Sequence, residues 1–269
     1  MTVVEVEPGV RVYVSTHGED RDADPLLLVP GFGLTHEVWD RQVRLAGASR
    51  RVLAVDQRGH GRSDAPAGGY DLDRLSLDLE VVLDSCGVEQ ADVLGWSFGG
   101  QVAFRFAATR PDRVGRLVLV GSNAVRASRS AEFPFGRDPD RAERAMAEVE
   151  QRDRIAARRM FIAASFAREP RQDVLDHLVG LSLRMPSWAA LACARTMFHS
   201  DLVEDVPRVT VPVLQVMGSA DPVHRTDGAL WLRDRLADSR LVELPGCGHY
   251  PMFEAADAFD AALGDFLEW

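Results

Sequence analysis

Asp92-Val93-Leu94-Gly95-Trp96-Ser97-Phe98-Gly99-Gly100 is the stretch on which the reading of this chain turns. A short apolar run, Asp92 to Leu94, leads into a serine flanked by glycines, and a helical pattern follows through Gln101 to Thr109. Glycines on either side of such a turn remove the side chains that would strike the neighbouring strand and helix. The serine can then stand in a strained backbone conformation with its hydroxyl projecting above the strand end. A lone Gly-x-Ser-x-Gly can arise by chance as an ordinary glycine-rich helix start, so the flanking sequence has to decide.

Three more apolar runs, Leu26 to Val29, Arg51 to Val55 and Arg116 to Val120, are continuous rather than alternating. That pattern marks strands covered on both faces. Between them Leu72, Leu75, Leu79, Val82 and Leu83 recur every three to four residues and stop before Gly87, the stripe of an amphipathic helix. Strand alternating with helix predicts right-handed crossovers and a mostly parallel sheet. Ahead of them, valines alternate with polar residues over Val3 to Glu7 and Val10 to Val14 around Pro8-Gly9, which predicts an antiparallel hairpin at the sheet edge.

After Val120 the alternation stops, resuming at Val211 to Met217 with a helix over Thr226 to Leu236 and a last strand at Leu241 to Leu244. The intervening segment is helix-rich: Arg141 to Arg159 is charged and alanine-rich, Met160 to Phe166 apolar, and Asp173 to Leu183 leucine-spaced. The chain therefore divides into a core part over 1–122, a helical cap over 123–208 and a second core part over 209–269, beginning at Met1 and ending at Trp269. Long insertions in compact domains often act as lids. Glu143, Glu148 and Glu150 sit in a mixed-charge helix and are expected on a solvated face.

Composition narrows the function. With 269 residues, 46% hydrophobic and 27% charged, the chain has the make-up of a folded globular protein. A net charge of −10 is a poor match to polyanions, so neither nucleic acid nor an anionic membrane is expected as a partner. All 31 basic residues are arginine, as a GC-rich coding sequence would give. Cys86, Cys193 and Cys247 form no CxxC pair, which argues against a disulfide framework or a four-cysteine zinc site and suits a reducing compartment. The first residues carry acids rather than a basic n-region, and no run of about eighteen apolar residues occurs. A cytoplasmic protein, monomer or homodimer, is expected. His17, His36, His177, His199 and His224 have no metal-ligand spacing, so neither metal nor other cofactor is called for.

Two residues complete the serine's chemistry in the chain order Ser, Asp, His. Asp221 stands in Gly218-Ser219-Ala220-Asp221-Pro222, just past the strand ending at Met217, and His249 in Gly246-Cys247-Gly248-His249-Tyr250-Pro251, just past Leu244. Both fall in loops at the carboxyl ends of strands, the rim where open α/β sheets bind ligands. A serine hydroxyl becomes a competent nucleophile when an imidazole accepts its proton, and the imidazole needs a carboxylate to fix its tautomer.

On these residues the chain resembles the α/β-hydrolase fold superfamily. Pro30-Gly31-Phe32-Gly33 lies where that family places its oxyanion loop, with Pro30 where a histidine is frequent, and Asp56-Gln57-Arg58-Gly59-His60-Gly61-Arg62-Ser63-Asp64 looks like its DxRGxGxSD loop. In the latter, Arg58, His60, Arg62 and Asp64 are expected to buttress the loop. The resemblance implies an eight-stranded, mostly parallel sheet with helices on both faces and a helical cap. It also implies an oxyanion hole from the backbone N–H groups of Phe32 and Phe98. Trp96, Phe135, Phe161, Trp188 and Tyr250 are the candidate pocket residues. An apolar lid over a serine favours a small hydrophobic ester or lactone as substrate, including those of natural-product metabolism. Serine at the elbow excludes the haloalkane dehalogenases and soluble epoxide hydrolases, which need aspartate there. The C–C bond hydrolases share the triad, and although their tryptophan after the histidine is unmatched in Tyr250-Pro251-Met252-Phe253-Glu254, an arginine in the insertion could serve them, so they stay an alternative. A lyase, cyclase or perhydrolase at the same site, or a ligand receptor with a vestigial triad, are further alternatives.

Overall fold

The computed structural model describes residues 2–21 and 23–269. Met1, the first residue of the expected core, lies outside them. The hairpin forms as β1 (Thr2–Glu7) and β2 (Val10–His17), then come β3 (Leu26–Val29), α1 (Asp40–Ala46), β4 (Val52–Asp56), α2 (Leu72–Ser85), β5 (Ala91–Trp96), α3 (Phe98–Thr109) and β6 (Val114–Val120). Helices α4 (Pro139–Arg152), α5 (Arg154–Ala164), α6 (Gln172–Ser182) and α7 (Ser187–His199) precede β7 (Val213–Gly218), α8 (Thr226–Arg233), β8 (Ser239–Leu244), α9 (Pro251–Glu254) and α10 (Ala256–Leu267).

The eight strands make one sheet in the order β1-β2-β4-β3-β5-β6-β7-β8. β2 runs antiparallel to β1 and β4, and every pair from β4 through β8 is parallel. The continuous apolar runs are strands whose alternate residues feed two cores. Leu27, Val29, Val93 and Leu117 join the layer of α2, α3 and α8, while Leu26, Leu28, Leu94 and Val118 join that of α1 and α10. Each face thus buries its own stripe, and β3 through β6 contribute mostly fully buried side chains.

Some boundaries differ from expectation. The charged stretch Arg141 to Arg159 is split at Asp153, whose extended backbone ends α4 and whose carboxylate accepts the Ala156 N–H at 3.0 Å as the N-cap of α5. Helix α8 stops at Arg233 rather than Leu236, the chain turning there into β8, which starts at Ser239. Glu150, expected on a solvated face, is 4% exposed. It is drawn inward by Arg158, which it pairs through both oxygens at 2.8 Å, and by the Ser187 hydroxyl at 3.0 Å. Among the described residues no helix is long and apolar enough to cross a membrane.

Candidate active site

Ser97 sits between β5 and α3 at φ 54°, ψ −118°, a conformation that costs a non-glycine residue on the order of 1–3 kcal/mol. Backbone bonds hold it there: Ser97 N–H donates to the Val120 carbonyl at 2.9 Å, and the Ser97 carbonyl accepts from Gly100 N–H at 2.9 Å and Ser122 Oγ at 2.8 Å. The neighbouring glycines are where other chain passes closest. A Cβ on Gly99 would lie 2.5 Å from the Val29 and Pro30 carbonyl oxygens, and one on Gly31 would lie 3.1 Å from Ser97 Cβ and 3.0 Å from Trp96. The turn after β3 is therefore pressed against the serine.

The loops after β7 and β8 deliver the partners. His249 Nε2 is 2.9 Å from Ser97 Oγ, and His249 Nδ1 is 2.8 Å from Asp221 Oδ2. The other Asp221 oxygen accepts backbone N–H bonds from Val223 at 2.7 Å and His224 at 3.0 Å. Burial pushes this carboxyl up, but the His249 charge and hydrogen bond, with help from His224, outweigh it and hold Asp221 below the usual carboxylate range. Since Oδ2 can only accept, Nδ1 carries the imidazole proton and Nε2 is left to take the serine's.

Among the described residues, the backbone N–H groups of Phe32 and Phe98 donate to no other protein group. Phe98 opens α3, so its N–H lies at the positive end of the helix. The Phe32 turn also touches α5: Arg158 lies over the Phe32 ring at 5.6 Å, and its guanidinium is spent on Glu150 and on Ser182, whose Oγ it meets at 2.9 Å.

Above Ser97 lies a cavity of about 260 Å³, lined from below by Phe32, Trp96, His249 and Tyr250 and from above by residues of α4, α5 and α7 such as Met146, Phe161 and Met197. Of the expected pocket residues, Trp96, Phe161 and Tyr250 line it. Phe135 and Trp188 do not, which corrects that expectation. Phe135 packs edge-on against Phe133, with centroids 4.9 Å apart, and Trp188 is 57% exposed on the outer face of α7, reaching the Ala65 carbonyl. Ala145, Met146 and Phe198 take their place in the wall.

Sequence reading also passed over Glu254. Its carboxylate accepts from Gly248 N–H at 3.1 Å and Tyr250 N–H at 3.0 Å, bracketing His249, and from Ala167 N–H at 2.8 Å beyond α5. His249 N–H donates to the Ser165 carbonyl at 2.9 Å, and Phe166 stacks on Tyr250 at 4.4 Å. The histidine loop is thus tied to the helical segment over it. No sequence spacing announces these contacts, because their partners lie far away along the chain. The Arg58 network behaves as a buttress: Arg58 is fully buried on Asp78 and Glu7. No cluster of three or more His, Cys, Asp or Glu side chains able to hold a metal occurs among the described residues.

Residues 24–256 match the family model of the alpha/beta hydrolase fold, and the chain belongs to that family; it is a hydrolase. It is 32% identical over 251 residues to the pimeloyl-(acyl-carrier protein) methyl ester esterase of Nitrosomonas europaea, spanning 92% of this chain and 96% of that one. It is 32% identical over 266 residues to the 2-hydroxymuconate semialdehyde hydrolase of a Pseudomonas species, spanning 90% and 86%. An esterase from Exiguobacterium antarcticum superposes with a TM-score of 0.94 at 26% identity, covering 100% of this chain and 99% of the other.

Proposed function

We propose that the chain is a serine hydrolase that cleaves a carboxylic ester or lactone of a small hydrophobic molecule through an acyl-enzyme. One observation carries the reading: Ser97, His249 and Asp221 form an unbroken relay at 2.9 and 2.8 Å on the floor of a largely apolar cavity. Ser97 Oγ attacks the carbonyl as His249 Nε2 takes its proton, and Asp221 steadies the imidazolium. The N–H groups of Phe32 and Phe98 receive the oxyanion. His249 then returns the proton to the leaving oxygen, and water repeats the sequence to free the acid. Helices α4–α7 act as the cap that keeps the cavity dry. No cofactor enters the scheme.

Arg158 in the cavity wall and the likeness to a 2-hydroxymuconate semialdehyde hydrolase support a second reading, C–C bond hydrolysis, in which the same serine or its water attacks a ketone. Arg158 is already neutralised by Glu150, which favours neutral substrates and the ester reading.

The test is hydrolysis of a panel of chromogenic acyl esters and neutral lactones by wild type and Ser97→Ala. Turnover that falls by several orders of magnitude in the variant supports the reading. Full activity in Ser97→Ala refutes it. Turnover of vinylogous 1,5-diketones alone would favour C–C cleavage.

A further inference from the structure

One polar group of the cavity wall has no part in this scheme. His224 lies three residues past Asp221, 5% exposed, with its ring centroid 5.7 Å from that of His249. Its Nδ1 accepts from Asn123 Nδ2 at 3.3 Å. A neutral imidazole has one donor and one acceptor, so engaging Nδ1 as acceptor leaves the proton on Nε2. Burial lowers this histidine to about 4, with His249 contributing next, so the ring is neutral near pH 7.

Among the described residues Nε2 has no protein partner, and the ring borders the cavity. Apart from the Tyr250 hydroxyl, the other polar side chains of that wall outside the relay are committed elsewhere or lie outside. Arg158 and Ser182 bond each other, Ser165 Oγ donates to the Phe161 carbonyl, and Arg137 is exposed at the rim. His224 therefore contributes one N–H, open to the cavity, on a loop whose preceding lining residues, Pro222 and Val223, are apolar. A donor that a ligand covers without matching costs more than a matched one gains, so it selects against ligands with no acceptor to offer.

Chemistry fixes which part of the substrate meets it. His249 must hand its proton to the leaving oxygen, so the alcohol portion of an ester lies on the His249 side of Ser97, where His224 is the neighbouring side chain. We infer that His224 is a specificity-determining residue whose Nε2–H donates to a second oxygen in the alcohol portion of the substrate. The inference rests on the ester-hydrolase reading. The preferred substrates are esters of alcohols that carry an ether, hydroxyl or carbonyl oxygen, in preference to their hydrocarbon isosteres.

The test compares kcat/KM for 2-methoxyethyl butanoate and butyl butanoate, whose leaving groups have the same number of heavy atoms. The ratio for alkaline hydrolysis without enzyme serves as the intrinsic reference. Wild type should exceed that reference by roughly fivefold, the range of one neutral hydrogen bond. In His224→Leu the excess should vanish, and in His224→Gln, which keeps an N–H, most of it should return. A role confined to holding the Asp221 loop would slow both esters alike and leave the ratio alone. A wild-type ratio equal to the reference, or an excess that survives in His224→Leu, overturns the inference. The wild-type ratio needs no variant, so poor folding of the leucine protein does not shield the inference. If wild type hydrolyses neither ester and Ser97 resists a serine-reactive phosphonate, the ester reading has failed and the inference falls with it. Turnover of both esters at the reference ratio sinks the inference alone.

Discussion

Replacing Asp221 by Asn changes one atom of the site, and the hydrogen bonds around it dictate the consequence. Oδ1 is held by two backbone donors, Val223 N–H at 2.7 Å and His224 N–H at 3.0 Å, while Oδ2 faces His249 Nδ1 at 2.8 Å. An asparagine must keep its carbonyl oxygen on the two N–H groups, because turning its NH2 onto them would oppose donor to donor. The NH2 then points at Nδ1, which has to become an acceptor, and the imidazole proton moves to Nε2. That atom faces Ser97 Oγ at 2.9 Å and can no longer take the serine proton. In a serine protease with the same triad chemistry, the corresponding aspartate-to-asparagine change lowers kcat by about 10⁴ through the wrong tautomer. Here that corresponds to about 5 kcal/mol of transition-state stabilisation. Side-chain volume barely changes and every backbone bond survives, so Tm should move by no more than a few degrees. Steady-state kinetics at pH 7 on the best ester of the panel should show kcat down by about 10⁴ with KM within a few-fold. An Asp221→Asn enzyme within tenfold of wild type, while equally stable, would refute the tautomer argument.

Gly31→Ala places a Cβ 3.0 Å from Trp96 and 3.1 Å from Ser97 Cβ, so the turn must retreat by a few tenths of an ångström and take the Phe32 N–H with it. Losing an oxyanion donor outright costs about 10²–10³ in kcat, so a partial displacement should cost at least about tenfold with little change in KM; kinetics within twofold of wild type would count against Phe32 as a donor. Acid stability should depend on His60 as well as His224, both of which burial holds down at about 4 from a usual 6.5. Above pH 6.5 neither form of the chain binds the proton and the histidines contribute nothing. Between 6.5 and about 4 the unfolded chain takes it up and the folded one does not, so each histidine costs up to about 3 kcal/mol as pH falls. Urea unfolding at pH 7 and 4.5 should therefore show a smaller acid loss in His60→Gln than in wild type, and parallel losses would disprove the assignment.

What the sequence made legible follows from how local each cause is. Leu26 to Val29 and Arg116 to Val120 could be recognised as strands because both faces of the sheet are covered, which leaves no polar alternation to confuse them with a surface strand. The elbow was legible because close approach of other chain forbids side chains at Gly99 and Gly31, and composition records that prohibition. The pocket was less so. An aromatic residue on a helix advertises burial but not which way it faces, and Trp188 on α7 turns outward while Phe198, ten residues on, turns into the cavity. Glu150 was misplaced for a related reason: its partner Arg158 lies across the α4–α5 break, and only that break brings the two together.

Glu254 and Ser97 show why the site needs support that no motif encodes. Ser97 holds a backbone conformation that opposes its own preference, and it persists because Val120, Ser122 and Gly100 all bond to its peptide groups. His249 has no regular element of its own to sit on. Its loop is fixed by the Glu254 carboxylate on both flanking N–H groups and by the Ser165 carbonyl on its own. Ser165 and Ala167, which share these bonds, lie just past the end of α5, the helix whose Phe161 and Arg158 line the cavity. The positions of His249 and of α5 are therefore set by one hydrogen-bonded unit. Under the proposed function, a shift of α5 that widened the cavity would pull on the His249 loop through Ser165 and Glu254, which would couple substrate admission to the alignment of the imidazole with Ser97.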